Sequence, residues 1–545
     1  MRRSVSLRSC YQKGFGSVSP EHSRSTSAGS TYAPQSGDQP AVAPARIIDI
    51  LGSVPVTIAV VVVFALQATW VAVSVRFVIY DEKYHLAAIK AFSTRWTPFI
   101  HQSAADGPVG DIERYGSYLY HYLLSFPYRA AQALGLGEDV TLVTLRLFSV
   151  LFVSGALIYA WRLFRELGAG PVTANVALAV VAMMPLTVFL AGTLNYDNLL
   201  ALLATAFFYY SLKLYKADRV DVGLWLKVLL VGGLAAVTKY TFLALAPVIV
   251  AGILVRQVPL ARTGLRPSVR DFFTVPGRGV AKARALLALG ALLACALVVE
   301  RYGLNLIHYG TPFPSCLAVH SPTICGMDPI FARNSQLALA HPPVPLSVSG
   351  AVAYLSYQWI PLMVQYLTYI GTFGPDGVIR TSLGPHILGV LFAWSLPVVL
   401  GLVVLATTVL RRVRGGRLLL ATASLYVVVL FAQNYSAYAK LGQPLGIQGR
   451  YVLVILPIIV GLACMALAQL ISMAGASARP RAAVGAVVAI AFVLSQGGGV
   501  TTYLWAADGA WWRTDSGVRF AVTSKASQLA RDLVIPDKLV RDPRL

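Results

Sequence analysis

The sequence predicts an all-α polytopic membrane protein with about 11 transmembrane helices. Of the 545 residues, 57% are hydrophobic and only 12% are charged, a composition that excludes an ordinary soluble globule. The apolar residues gather in long runs, and the basic residues behind the net charge of +22 lie between those runs. This pattern indicates orientation in a lipid bilayer rather than binding to nucleic acid. Five cysteines in such a chain indicate neither a disulfide framework nor a zinc site.

The chain begins with a predicted disordered, basic cytoplasmic tail over residues 1–48. This segment is rich in Ser, Gly, Pro and Gln and poor in large aliphatic side chains. A membrane domain is predicted over residues 49–501. Its first span runs from about Ser53 to Phe77 and is expected to remain as an anchor, because no apolar signal-peptide core precedes it.

The first outer loop, residues 78–140, contains two amphipathic segments. They run from about His85 to Trp96 and from Arg114 to Leu134, and the second is crowded with tyrosines. Such segments are typical of helices that lie in the headgroup layer. Apolar length and the positive-inside rule then predict spans at about 141–164, 172–194, 199–214, 285–302, 386–410, 418–438, 451–471 and 482–500, with two short helices within 224–255.

The two short helices are an interpretation of an apolar run that holds Lys239 in its middle. One continuous helix would place this lysine at the bilayer centre, at a cost of about 2.5–3.5 kcal/mol. A turn at Lys239-Tyr240 instead places the lysine at the outer surface and the following basic loop inside. A long outer loop is predicted over residues 303–385, and its apolar piece 352–373 is interpreted as interfacial or re-entrant. The N-terminus then lies inside and the tail, residues 502–545, lies outside.

Ionisable side chains concentrate at the outer ends of the predicted spans. Few are left at the predicted midplane, where transporters and proton pumps need them. This placement favours an enzyme that acts at headgroup level, although a charged flank can also simply anchor a helix end. The residues in question are Asp81, Glu82, His85, Asp197, Lys239 and Arg450.

Short motifs are spread along the chain from the first outer loop onward. They are Asp81-Glu82, Tyr118-Leu119-Tyr120-His121-Tyr122-Leu123-Leu124, Arg146-Leu147-Phe148-Ser149 at the start of the second span, and Leu234 to Tyr240 with its Thr238-Lys239-Tyr240 turn. Together they resemble the GT-C superfamily, which comprises membrane glycosyltransferases that use polyprenyl-phosphate sugars, such as the protein mannosyltransferases. Three motifs, Asp81-Glu82-Lys83-Tyr84-His85 (D-E-x-x-H), Leu194-Asn195-Tyr196-Asp197 (N-Y-D) and Gln448-Gly449-Arg450-Tyr451 (Q-G-R-Y), are similar to those of a little-characterised bacterial family assigned to the same fold. The resemblance covers about residues 55–475 and implies a GT-C-like helical bundle.

The resemblance also implies roles for residues. Asp81 matches the superfamily's catalytic acidic residue and is expected to be the general base, with Glu82 as the alternative. Lys239 and Arg450 are expected to hold the lipid phosphate.

Tyr240 and Tyr451 are expected to donate hydrogen bonds or stack on a sugar. His85 is expected to orient Asp81, to contact phosphate, or to be an interfacial histidine without a ligand role.

Asp197 has two open interpretations. Some superfamily members hold a divalent metal between such carboxylates, so Asp81 and Asp197 could share Mg²⁺ or Mn²⁺, while others need no metal. The alternative is that Asp197 caps the helix that starts at Asn198 or bonds the base. Separately, Cys316 and Cys325 lie nine residues apart in the long outer loop, where a disulfide is permitted.

These expectations combine into one functional hypothesis. The chain would transfer a sugar from a polyprenyl-phosphate donor to a cell-envelope glycan, lipid or protein at the outer face of the cytoplasmic membrane. No nucleic acid partner is expected. The alternatives are a lipid or glycolipid transporter and a non-catalytic scaffold for envelope synthesis.

Overall fold

A computed structural model describes residues 49–74, 81–274, 278–363, 399, 401–405 and 413–473, and the regular elements within these ranges are all helical. The predicted 1–48 tail, the spans at 386–410 and 482–500, most of the 352–373 piece and the 502–545 tail lie wholly or largely outside them. The α-helices are α1 (Val54–Ser74), α2 (Glu82–Ser93), α3 (Leu119–Ala133), α4 (Glu138–Leu167), α5 (Pro171–Met183), α6 (Pro185–Ala191), α7 (Tyr196–Lys216), α8 (Val222–Thr238), α9 (Ala246–Phe273), α10 (Arg278–Val298), α11 (Leu304–Tyr309), α12 (Cys316–Val319), α13 (Pro322–Gly326), α14 (Pro329–Ala340), α15 (Val348–Tyr354), α16 (Gly416–Leu441) and α17 (Leu456–Met473).

Short 3₁₀ and π segments connect several of these helices. The 3₁₀ segments are Ala104–Val109, Tyr240–Ala244 and Gly449–Val454, and the π segments are Val299–Gly303 and Leu355–Trp359. Because 3₁₀ and π turns interrupt the regular i to i−4 ladder, they redirect the chain where they occur. The segments Tyr240–Ala244 and Gly449–Val454 matter most here, since the first follows directly on Lys239 and the second contains Arg450.

Five helices within the described ranges are long and apolar enough to cross a membrane. They are Val54–Val73, Glu138–Leu167, Gly279–Tyr309, Gly416–Leu441 and Leu456–Met473. A sixth results if Ala246–Arg262 and Gly264–Phe273, which meet at a 90° bend, form one span. The all-α polytopic prediction is therefore confirmed, whereas the count of eleven spans stays a prediction.

Three predicted elements differ from the structure. The span at 172–194 is two short helices, α5 and α6, because Pro185 lacks an amide hydrogen and holds Met184 in an extended conformation (φ −59°, ψ 124°). The second half of the 224–255 run is not short, since α9 continues to Phe273. In the amphipathic segment 114–134 the helix begins only at Leu119.

The buried core draws side chains from α1, α4, α7, α8 and α17. A close approach fixes α1 against the turn that precedes α7. A Cβ on Gly192 would meet Val71 Cγ1 at 2.6 Å and Ala68 O at 2.8 Å, so only glycine fits there. This contact holds the segment 193–197, which carries the motif Leu194-Asn195-Tyr196-Asp197, against the C-terminal end of α1.

Candidate active site

Four charged side chains from distant parts of the sequence meet in one charge cluster, formed by Asp81, Asp197, Lys239 and Arg450. Lys239 Nζ lies 2.5 Å from Asp197 Oδ1, and Arg450 Nη2 lies 2.7 Å from Asp81 Oδ2. Arg450 Nε lies 3.7 Å from Asp197 Oδ2, so the guanidinium faces both carboxylates. The four formal charges cancel, which limits the electrostatic cost of placing them in a buried site.

Burial separates one member of the charge cluster from the other three. The side chains of Lys239, Asp197 and Arg450 are buried, whereas that of Asp81 is 41% exposed. The sequence predicted Lys239 at the outer surface, where water would solvate its charge. In the structure Lys239 is buried, and its ion pair with Asp197 offsets the cost of removing the charge from water. Asp81 is thus the member of the charge cluster that an incoming substrate can reach.

The two cations occupy the same kind of local structure. Lys239 ends α8 in an extended conformation (φ −154°, ψ 123°) and precedes the 3₁₀ segment Tyr240–Ala244. Arg450 is the second residue of the 3₁₀ segment Gly449–Val454, which follows an extended Gln448. Each cation is followed by a tyrosine, and each 3₁₀ segment leads into a helix with proline near its start. The paired motifs K-Y and R-Y are the sequence signal of this correspondence, which sequence reasoning did not recognise.

One interpretation of the sequence made Asp197 the N-cap of α7. In the structure Asp197 instead belongs to the first turn of this helix. Asn195 is the N-cap, and its Oδ1 accepts a hydrogen bond of 2.8 Å from Asp197 N–H. Asn198 Nδ2 donates to the carbonyls of Leu190 and Thr193. With its backbone fixed in this way, Asp197 holds its carboxylate against both cations.

Asp81 has the left-handed conformation (φ 62°, ψ 18°), and it is the only non-glycine residue of the described ranges with a positive φ. Aspartate tolerates this conformation better than most residues, yet backbone strain of this kind concentrates at functional sites. The conformation turns the side chain of Asp81 away from that of its neighbour Glu82. Asp81 therefore faces Arg450, while Glu82 enters the protein interior.

Glu82 is fully buried and serves a different role from the alternative base that the sequence suggested. Its two carboxylate oxygens accept hydrogen bonds of 2.8 Å and 2.7 Å from Nε and Nη2 of Arg146, which is also fully buried. Glu82 Oε1 further accepts from Leu194 N–H at 2.9 Å. A carboxylate held this way is not accessible to an acceptor hydroxyl.

His85 is buried beside a second histidine instead of contacting the charge cluster. Its Nδ1 lies 2.8 Å from His121 Nε2, and the rings stack with centroids 5.1 Å apart. Burial lowers the pKa of His121 to about 3 and also lowers that of His85, so both rings are neutral at pH 7. The expectation that His85 orients Asp81 through its ring is wrong, because its Nδ1 bonds His121 instead. His121 is a partner that sequence reasoning missed.

Aromatic rings surround the two cations. Lys239 Nζ lies 4.3 Å from the ring centroid of Tyr451 and 4.5 Å from that of Tyr196. The guanidinium carbon of Arg450 lies 5.5 Å from the Tyr451 centroid. Such contacts stabilise a desolvated cation. Tyr196 belongs to the motif Leu194-Asn195-Tyr196-Asp197, but nothing in the sequence indicated that its ring would contact Lys239.

A cavity of about 780 Å³ lies near the charge cluster, but none of the four residues of the cluster lines it. Tyr240, which follows Lys239 directly, lies in its wall, and its hydroxyl accepts a hydrogen bond of 2.9 Å from Gln433 Nε2. Tyr426, also in the wall, donates to the backbone carbonyl of Tyr451 at 3.0 Å. Most of the remaining wall is apolar, with Leu243, Leu425, Val429 and Phe313 among its side chains. The wall of this cavity is thus suited to contact with an apolar chain.

The carboxylates do not fit the divalent-metal interpretation. Asp81 Oδ2 and Asp197 Oδ2 both face Arg450, and Asp197 Oδ1 bonds Lys239. Oxygens that already pair with two cations would have to exchange those partners for a metal ion. In the described part of the chain, no group of three or more His, Cys, Asp or Glu side chains could hold a metal.

Within the predicted long outer loop, a disulfide joins Cys316 and Cys325, whose Cα atoms lie 5.8 Å apart, and closes the short segment between them. His320 lies within this closed loop, and its Nε2 lies 3.2 Å from Asp111 Oδ1 of the first outer loop. Just before the disulfide, the Phe313 ring packs against Tyr240 with centroids 5.6 Å apart. The two outer loops therefore meet over the cavity.

Comparison with known proteins tests which class of protein this chain resembles. Residues 125–268 match the family model described as dolichyl-phosphate-mannose-protein mannosyltransferase, a segment that includes Arg146, Asp197 and Lys239. The matched segment is less than half of the chain, and it supports the class that the resemblance implied, a membrane glycosyltransferase of the GT-C type; the individual motifs stay a prediction. No curated protein matches the chain.

Three solved structures are similar to this chain at low identity. ArnT from Cupriavidus metallidurans in the apo state is 17% identical, covers 87% of this chain and 75% of its own, and has a TM-score of 0.42. The same protein bound to undecaprenyl phosphate is 18% identical with the same coverage and a TM-score of 0.41. The Archaeoglobus fulgidus oligosaccharyltransferase, tethered to an acceptor peptide, is 15% identical, covers 86% of this chain and has a TM-score of 0.40; this chain spans 58% of its length.

Proposed function

We propose that this protein transfers a sugar from a polyprenyl-phosphate donor to an acceptor hydroxyl of the cell envelope, at the outer face of the cytoplasmic membrane. The observation that carries the proposal is the charge cluster itself, in which two buried cations lie beside one exposed carboxylate. An apolar cavity lies nearby, and its wall includes Tyr240, the residue that follows Lys239. The family match over 125–268 supports the same class of reaction.

The donor phosphate is assigned to Lys239 and Arg450. Arginine offers a planar fork of donors for phosphate oxygens, and lysine offers a compact charge. The apolar cavity beside Tyr240 then receives the first part of the prenyl chain. Asp197 contacts both cations and is a positioning residue that keeps them together in the absence of donor.

Asp81 is assigned as general base. In the structure its carboxylate bonds Arg450, so a donor phosphate that binds Arg450 competes with Asp81 for the guanidinium. Asp81, once released, accepts the proton of the acceptor hydroxyl. The acceptor oxygen bonds to the anomeric carbon as the bond from that carbon to the phosphate oxygen breaks. The leaving polyprenyl phosphate keeps the electron pair, and Lys239 and Arg450 stabilise its added charge.

The experiment that tests this proposal uses membranes that contain the protein and a panel of radiolabelled polyprenyl-phosphate sugars. Wild-type protein is expected to release label from one donor, and Asp81→Asn is expected to reduce the rate by about 10²–10⁴-fold, the usual contribution of a general base. Asp111→Asn is the matched control, since Asp111 is an outer-loop carboxylate that pairs with His320 rather than with the charge cluster.

The outcomes separate this proposal from its alternatives. Equal losses in Asp81→Asn and Asp111→Asn would show that the loop fold, not the base, is being measured. Absence of transfer from every donor, with a folded wild-type protein, would favour a lipid transporter or a scaffold instead. Movement of labelled lipid across a vesicle membrane would identify the transporter.

A further inference from the structure

The buried pair Glu82–Arg146 connects the two acidic motifs of the site. Glu82 follows Asp81 directly, and it accepts hydrogen bonds from Arg146 and from the backbone of Leu194, three residues before Asp197. Arg146 in turn donates to the carbonyl of Ala72 at the end of α1, at 3.0 Å. The pair therefore connects the end of α1, the start of α2, the first third of α4 and the turn before α7.

A second set of hydrogen bonds also connects α4 with the 194–197 segment. Tyr120 Oη accepts a hydrogen bond of 3.0 Å from Asn195 N–H and lies 2.8 Å from Ser149 Oγ. Ser149 lies one turn of α4 beyond Arg146, so both links from α4 end on the 194–197 segment. The Asp197 carboxylate is therefore fixed relative to Asp81 through α4.

The left-handed backbone of Asp81 needs such support. An L-residue with φ near +60° relaxes toward negative φ unless its surroundings hold it. Here the following residue is fully buried and anchored by three hydrogen bonds, and the Asp81 side chain itself bonds Arg450. Anchoring Glu82 fixes the direction in which Asp81 projects.

We infer that Glu82 and Arg146 are a positioning pair that sets the geometry of Asp81 and of the 194–197 segment for sugar transfer. The inference rests on the proposed function, since it assigns Asp81 as the base. It removes Glu82 from the candidates for base and gives Arg146 a role in the rate of reaction. It predicts that the charges of the pair are dispensable when both are removed together.

A double-mutant cycle tests the inference. Glu82→Gln leaves the Arg146 charge buried without its carboxylate, and Arg146→Gln leaves the carboxylate buried without its cation. Each single variant is expected to lose about 100-fold in kcat, since a displacement of about 1 Å at a reacting group costs this much. The double variant Glu82→Gln/Arg146→Gln can keep a neutral hydrogen-bonded pair and is expected to recover to within about tenfold of wild type.

The pH profile of kcat separates positioning from catalysis. In the double variant the acidic limb is expected to remain where it is in wild type, because Asp81 is still the base in this variant. Glu82→Gln and the double variant are compared by thermal melting and by gel filtration, so that a misfolded variant is recognised. The conservative variant Glu82→Asp, one methylene shorter, is expected to be impaired like Glu82→Gln.

Each outcome has one meaning. A folded double variant that is as inactive as Glu82→Gln, or that has lost the acidic limb, would overturn the positioning inference while wild-type transfer still supports the proposed function. Wild-type protein without transfer from any donor would overturn both. Recovery in the double variant with an unchanged limb is the result expected here.

Discussion

Replacing Arg450 by lysine separates the charge of this residue from its ability to contact two carboxylates at once. Arg450 spans from Asp81 Oδ2 at 2.7 Å to Asp197 Oδ2 at 3.7 Å, and the smaller ammonium of lysine cannot reproduce both contacts. A charge-assisted hydrogen bond is worth about 1.5–3 kcal/mol, which corresponds to about 10- to 160-fold in rate. We expect Arg450→Lys to lose kcat/KM in that range.

Arg450→Gln removes the charge as well. Asp81 then loses the cation that it contacts, and Asp197 keeps Lys239 alone. Breaking a buried pair costs about 3–5 kcal/mol, or about 160- to 5,000-fold. Both variants are measured as sugar release from the labelled donor, with kcat and KM for the donor determined separately. Because the guanidinium is assigned to the donor phosphate, we expect KM for the donor to rise in both.

Arg129→Lys is the control for the general effect of replacing an arginine. Arg129 donates to backbone carbonyls at the end of α2, including Ser93 O at 2.9 Å, and not to the charge cluster. The reasoning is refuted if Arg450→Lys stays within about twofold of wild type. Equal losses in Arg129→Lys and Arg450→Lys would likewise refute it, since a loss of fold would then explain both.

Three further outcomes are expected. Burial lowers the pKa of Lys239 to about 8, despite the opposing effect of Asp197. Raising the pH through about 8 therefore removes the charge of Lys239, and the rate of transfer should fall; in a pH–rate profile, Lys239→Arg should move this alkaline limb to higher pH. Val429→Trp should fill part of the cavity and raise KM more for long-chain donors than for short-chain donors. The control is Val428→Trp on the same helix, which should leave both KM values unchanged because Val428 is 60% exposed. Removing the Cys316–Cys325 disulfide by double serine substitution should destabilise the outer loop by about 3 kcal/mol, the value for closing a loop of this length, and limited proteolysis should then cut within it.

The sequence was sufficient for properties that depend on local composition. Apolar length predicted the helices around Val54–Ser74, Glu138–Leu167 and Gly416–Leu441, and the cost of a central lysine predicted a break at Lys239. The break at Pro185 was also readable locally, because proline excludes a continuous helix, but the apolar run concealed it. Such signals need no knowledge of distant partners.

The arrangement of the charge cluster could not be predicted, since it depends on distant contacts. Lys239 was expected in water, yet Asp197, 42 residues earlier, makes its burial tolerable. Neighbours Asp81 and Glu82 look equivalent in sequence, and only the left-handed backbone at Asp81 sends one side chain to the site and the other into the core. We infer that this conformation is held through Glu82, whose carboxylate bonds Arg146, 64 residues later in the sequence.

The end of α8 has a consequence for how the protein is made. The carbonyl of Val237 accepts from Tyr118 N–H at 3.1 Å, and that of Ala236 accepts from the Tyr302 hydroxyl at 2.7 Å. A ribosome synthesises Tyr118 long before α8 and Tyr302 long after it, so this helix end obtains its full set of partners only when chain up to Tyr302 has entered the membrane. Until then exposed carbonyls remain at the break, where a quality-control protease or chaperone can recognise them. Substitutions at Tyr302 are therefore expected to appear first as reduced amounts of protein in the membrane, before any change in the rate per molecule.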